Sequence, residues 1–104
     1  MAAALLYSVT VQLAQADAAG WLEWMRCEHI PEVLATGYFS RHRVLRLVSP
    51  ETEPGTVTYS IQYECFSQQQ LEAYVEQEVP RLRAAAAARY PNVHAFRAVL
   101  EVIT

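Results

Sequence analysis

The sequence predicts an α+β domain of β-α-β-β-α-β order, in which one four-stranded antiparallel sheet carries two helices on a single face. Three observations predict it. Residues 5–13 and 56–65 alternate between apolar and polar side chains, Leu6 excepted, the period of a half-buried strand. Residues 17–28 and 67–89 instead carry apolar residues at helical spacing. The 104 residues are enough for one core and too few for two, and no linker or repeat divides them, so residues 1–104 are expected to form one domain.

In the first strand Leu5, Tyr7, Val9, Val11 and Leu13 share one face, and Leu6, Ser8, Thr10 and Gln12 the other. Asp17 suits an N-cap for a helix to about Glu28, on which Trp21, Leu22, Met25 and His29 share a side. Pro31 should end that helix, because it lacks a backbone donor, and Gly37 should mark the turn after it. A second strand fits residues 38–48, followed by a loop through Pro54 and Gly55. The third strand, residues 56–65, forms a hairpin with it and sets Val57, Tyr59, Ile61, Tyr63 and Cys65 against Thr58, Ser60, Gln62 and Glu64.

The second helix has a clear start. Ser67 and Gln70 make an S-x-x-Q capping box, and Phe66 and Leu71 are placed as a hydrophobic staple. Leu71, Tyr74, Val75, Val79 and Leu82 form its apolar stripe, with Pro80 kinking or restarting the helix. Pro91 and Asn92 end it, and residues 93–103 read as the fourth strand. Right-handed crossovers fold this order into a ferredoxin-like sheet with strands one and three in the middle.

The helix-covered face should carry the apolar set of each middle strand, leaving Ser8, Thr10, Gln12, Thr58, Ser60, Gln62 and Glu64 on the open face. On strand four, Arg97 and Glu101 join that open face if His94, Phe96, Leu100 and Val102 turn to the helices. Strand two is ambiguous, since Phe39 and Leu45 share a parity with Arg41 and Arg43, and a bulge is expected there.

Composition narrows the function classes. Hydrophobic residues are 53% and charged residues 18% of the chain, the net charge is −3, and all eight basic residues are Arg. Without a basic stripe, a nucleic-acid partner is not expected. Residues 1–6 lack the positive start of a signal peptide, and no apolar run nears the roughly 20 residues of a membrane span, so a cytoplasmic protein with no membrane partner is expected. Cys27 and Cys65 fall on separate elements and do not suggest a disulfide framework. No metal is expected, because Cys27-Glu28-His29 is too tight to present three ligands and His42 and Cys65 lie elsewhere. Neither a phosphate-binding glycine loop nor a serine nucleophile elbow is present, and no cofactor is expected.

Residues 7–11, 57–63 and 96–102, with Trp24-Met25 and the run Glu28-His29-Ile30-Pro31-Glu32-Val33-Leu34-Ala35-Thr36-Gly37, resemble an uncharacterised bacterial domain-of-unknown-function family with an EHIPxVLATG motif. Through it the chain is distantly similar to the dimeric α+β barrel group, which includes cofactor-independent oxygenases, haem-degrading enzymes, isomerases and stress-response proteins. The resemblance implies a dimeric barrel and no particular activity.

A neutral open face suits pairing with a second copy, so a homodimer is expected through Ser8, Thr10, Thr58, Ser60, Gln62, Arg97 and Glu101, with an Arg97–Glu101 ion pair fixing the register. Tyr7, Tyr59, Tyr63 and His94, opposite Trp21 and Trp24, either line a pocket for a planar ligand or simply fill the core. His29, near a helix C-terminus, is a candidate acid, base or anion-binding group, or else a histidine that fixes the Pro31 turn. Three functions remain open on the sequence: a module that binds a small molecule between sheet and helices, a cofactor-independent oxygenase or isomerase using His29 for proton transfer, and a structural protein without a ligand.

Overall fold

The computed structural model describes residues 4–104; Met1–Ala3, on which part of the no-leader expectation falls, lie outside the described residues. Four strands, β1 (Leu5–Ala14), β2 (Arg41–Arg46), β3 (Thr56–Cys65) and β4 (His94–Glu101), form one antiparallel sheet in the order β2-β3-β1-β4. The two alternating strands are central, in a continuous register from Leu5 opposite Cys65 to Ala14 opposite Thr56. Their apolar residues form the core with the helices above: Tyr7, Val11, Ile61 and Tyr63 are buried beneath Trp21, Met25, Leu71, Tyr74 and Leu82.

Pro31 does not end the first helix. The helix runs through α1 (Ala18–Trp24), a π-helical turn (Met25–His29) and α2 (Ile30–Ala35), with Pro31 in the first turn of α2. A proline inside a regular helix lacks a donor and collides with the carbonyl four residues earlier; a wide turn placed just before it relieves both faults. The helix ends instead at Gly37, whose φ of 82° suits a residue without Cβ and whose N–H donates to the Leu34 carbonyl at 3.1 Å.

The second helix starts where expected, the Gln70 N–H donating to Ser67 Oγ at 2.9 Å. Phe66 stays 52% exposed and Val75 44%, so neither the staple nor that part of the stripe is buried. Pro80 restarts the chain as a separate rod, leaving α3 (Gln68–Gln77) and α4 (Val79–Arg89) with Glu78 between them. Arg81 of α4 reaches both Glu78 at 3.2 Å and Glu32 of α2 at 3.7 Å, tying the two helical arms together.

Two parts of the expected fold class therefore need correction. The helical layer holds three rods, not two, because Pro80 removes the backbone donor that would join α3 to α4. The sheet is open, with β2 and β4 as free edges, and it is not a closed barrel. β2 runs in plain register with β3 from Arg41 opposite Glu64 to Arg46 opposite Tyr59, so the expected bulge is absent there. Phe39 precedes the strand and packs into the core, its ring 4.7 Å from Tyr74 and 5.2 Å from Tyr63, which dissolves the parity conflict.

β4 faces the other way from the expected assignment. Val99, Arg97 and Ala95 lie opposite Tyr7, Val9 and Val11 on the helix side, while Leu100, Phe96 and His94 lie opposite Leu6, Thr10 and Gln12 on the open side. Arg97 and Glu101 are thus not on the open face, and no Arg97–Glu101 ion pair forms among the described residues. The physical reason is incomplete cover. The helices do not seal the sheet over β4, so an arginine is tolerated beneath them, and Phe96 is left 70% exposed on the opposite face.

Candidate functional site

Where the helices leave β4 uncovered, a cavity of about 340 Å³ separates sheet from helices. Its floor is Tyr7, Val9, Val11, Ile61 and Tyr63 with Ala95 and Arg97 of β4; its walls are Trp21, Trp24, Met25, His29 and Val33 on one side and Tyr74, Leu82, Arg83, Ala86 and Tyr90 on the other. Ala95 and Val99 face the helix side and remain exposed, so the cavity opens along the β4 edge. That volume lies at the lower end of the range for small-molecule sites.

Of the expected ligand-contacting residues, Tyr7, Trp21, Trp24, His29, Tyr63 and His94 border this space. Tyr59 does not: its ring stacks on Trp21 at 5.4 Å and 16°, a core contact. His94 borders the cavity only from the end of its strand, because its register position is on the open face. Arg97, Tyr74, Arg83 and Tyr90 were not expected in the site. Arg97 carries a legible signal, being the one charged residue in the otherwise uncharged or apolar run 93–100.

The π turn shapes the wall. It brings Trp24 and His29 together as a stacked pair, ring centroids 4.9 Å apart and planes 25° from parallel. Tyr90 also packs on the indole, its ring centroid 5.4 Å away and tilted by 58°. The same two residues also border a second, outer groove with Glu28, Glu32, Ala85, Ala88 and Arg89, so the pair forms the partition between cavity and groove.

His29 Nδ1 is buried and meets no hydrogen-bond partner. Burial holds the imidazole pKa below its ordinary value of 6.5, with the positive charge of Arg97 adding to the effect and the Glu32 carboxylate opposing it. His29 is therefore a neutral imidazole near pH 7. Burial raises the pKa values of the Tyr63 and Tyr74 phenols, with Tyr74 and Tyr7 adding to the effect at Tyr63 and Tyr7 adding to it at Tyr74, so they stay protonated as hydrogen-bond donors. A neutral base and retained hydroxyl donors are the equipment for moving a proton on a small molecule.

On the open face, Ser8, Thr10, Thr58, Ser60 and Gln62 stand together as expected, with the Ser8 and Ser60 hydroxyls 3.2 Å apart across the central strands. Arg43 adds a hydrogen bond from Nε to Gln62 Oε1 at 3.0 Å, and Arg41 an ion pair to Glu64 at 3.8 Å. Leu6, Phe96 and Leu100 complete the face, so it is more apolar than the expected set. Among the described residues no group of three His, Cys, Asp or Glu could hold a metal ion, and no helix is long and apolar enough to cross a membrane.

Comparison with known proteins agrees with this architecture. No curated protein matches the sequence. Similar solved structures include an EthD-like protein of Ralstonia eutropha (TM-score 0.71, 14% identity, 100% of this chain and 96% of that one). A dimeric ferredoxin-like protein from an uncultured marine organism is similar at a TM-score of 0.70 and 10% identity, covering 98% and 97% of the two chains. A candidate antibiotic-biosynthesis monooxygenase of Bacillus cereus follows at 0.66 and 15%, covering 98% and 95%. At these identities the likeness is one of fold. The model of a family described as a domain of unknown function, DUF4286, matches residues 4–103, and the chain belongs to that family.

Proposed function

We propose that this protein is a cofactor-independent enzyme that moves a proton on a small molecule held between sheet and helices, with His29 as the base. The carrying observation is the His29 imidazole, kept neutral by burial at the wall of a cavity that Tyr63 and Tyr74 also line, their phenols protonated. Nδ1 is sealed, which leaves Nε2 as the nitrogen to meet a ligand in this reading. It takes a proton from an acidic C–H or O–H, and the tyrosine hydroxyls donate to the oxygen on which charge then collects. An isomerase returns the proton to another atom of the same ligand; an oxygenase passes the anion's electrons to dioxygen. The monooxygenase and EthD-like names among proteins of the same fold support enzymatic use of such a cavity over binding alone.

The test is solvent-deuterium exchange, followed by NMR, on a panel of enolisable ketones and phenols, with and without dioxygen. Wild type should accelerate exchange on at least one compound, and His29→Gln should abolish that acceleration while remaining folded. Exchange that survives in His29→Gln would remove His29 from the chemistry. A compound that binds and raises the melting temperature without any exchange would favour a binding module.

The open sheet face supports a second element of the reading, pairing with another copy of the chain. Ser8, Thr10, Thr58, Ser60 and Gln62 form a neutral centre, continuous with Leu6, Phe96 and Leu100, with Arg41 and Arg43 confined to the β2 edge. Such a face suits sheet-on-sheet packing.

A further inference from the structure

We propose that the cavity takes a planar aromatic anion, a carboxylate of about two fused rings, with Arg97 as its counter-charge; this rests on the small-molecule reading above. Arg97 rises from the helix side of β4, opposite Val9, and is half-buried at the cavity floor. Among the described residues the arginines with carboxylate partners are Arg41 and Arg81, and no carboxylate lies within 4.0 Å of Arg97. No Asp or Glu borders the cavity at all; its other charged residue is Arg83 of α4. In a chain with a net charge of −3, the lining of this cavity is therefore basic.

A guanidinium drawn partly out of water without a counter-ion has lost hydration and gained nothing for it. A carboxylate restores two parallel N–H···O bonds in the geometry the fork is built for. The charge of Arg97 already reaches the groups assigned to chemistry, lowering the proton affinity of both His29 and Tyr74. An anion bound at Arg97 thus lies within the same cluster as the base and a donor. The remaining surface selects shape: Trp21, Trp24, Tyr7 and Tyr63 present flat apolar walls. A cationic ligand would meet Arg97 with no carboxylate to offset it, and a neutral one would leave the guanidinium unpaired.

The experiment compares 2-naphthoate with 2-naphthamide, which share shape and differ in charge, by calorimetry on the full chain. Wild type should bind the carboxylate at least about tenfold more tightly, the scale of one charge-assisted hydrogen-bonded contact. Arg97→Gln should lower the carboxylate to the affinity of the amide and leave the amide unchanged, while Arg46→Gln, on β2 and away from the cavity, keeps the preference. In wild type, naphthoate should also shift the Arg97 Nε–H resonance, a readout that does not depend on any variant folding. Equal binding of the two probes, or a preference that survives Arg97→Gln, overturns the anion assignment while leaving the small-molecule site intact. Binding of neither probe overturns the anion assignment, and a failed deuterium-exchange panel beside it would remove the site as well.

Discussion

The indole of Trp24 lies against the imidazole of His29, centroids 4.9 Å apart, although they stand five positions apart on one continuous helix. In a regular α-helix positions five apart point about 140° away from each other, too far for stacking. The π turn at Met25–His29 widens the coil and brings them onto one side. Pro31 gives the turn its cause, since the widened coil spares the carbonyl that its ring would strike. One residue thus sets the helix geometry, the stack and the burial of a candidate base.

Removing the indole should release the imidazole. Trp24→Ala exposes the ring to water, and desolvation is the largest cause holding its pKa down. The His29 pKa should therefore rise toward the ordinary 6.5, read from the pH titration of its ring protons by NMR. An unchanged or lower value would show that the stack does not shield it.

Stability should depend on pH through the same group. A histidine whose folded pKa lies below its unfolded value binds fewer protons when folded, so acid favours unfolding. The contribution is fully present above about pH 6.5 and is lost as the pH falls toward the lowered folded pKa. The groups facing His29 are Glu32, Arg97 and Trp24. The stability of wild type relative to His29→Gln, measured by urea denaturation, should fall between pH 7.5 and pH 5; a flat difference would mean that His29 titrates as it does in the unfolded chain.

Ser67 offers a test of the helical layer alone. Its Oγ accepts the Gln70 N–H at 2.9 Å at an exposed helix start, remote from the cavity. Ser67→Ala should cost about 1 kcal/mol of stability without altering ligand binding or assembly. Chemical denaturation showing no loss would mean that solvent satisfies that amide equally well.

The central strands were legible in the sequence because Tyr7 with Ser8, and Ile61 with Gln62, differ sharply in polarity at a period of two. Ser67 and Pro80 were legible because each acts through its own backbone chemistry. β4 was not, since Phe96, Ala98 and Leu100 are as apolar as Ala95 and Val99, and periodicity without contrast assigns no face. Only the register with β1 places Arg97 inside. The π turn left no periodic trace either, for Pro31 reads equally as a helix stop or as the reason for a wide turn. The polar cluster of the candidate site was thus half visible: His29 stood out as a residue type, while Arg97 and Tyr74 needed the tertiary packing.

The open face carries the last prediction. Ser60 lies mid-strand on β3, its hydroxyl 3.2 Å from that of Ser8 on β1, at the centre of the neutral surface. If two copies pair through this face, their sheets approach to about 10 Å, with room for serine and threonine and little for a guanidinium. Ser60→Arg would place one such group from each copy in that space, close to the twofold axis. Unpaired charges removed from water cost several kcal/mol each, so the variant should sediment as a monomer, or dissociate on dilution, with unchanged far-ultraviolet dichroism. Phe96→Ser, on the same face but at the β4 edge, should weaken pairing less, through lost apolar contact alone. A wild type that is monomeric at micromolar concentration, or a Ser60→Arg variant that remains a tight dimer, would assign the open face to something other than self-association.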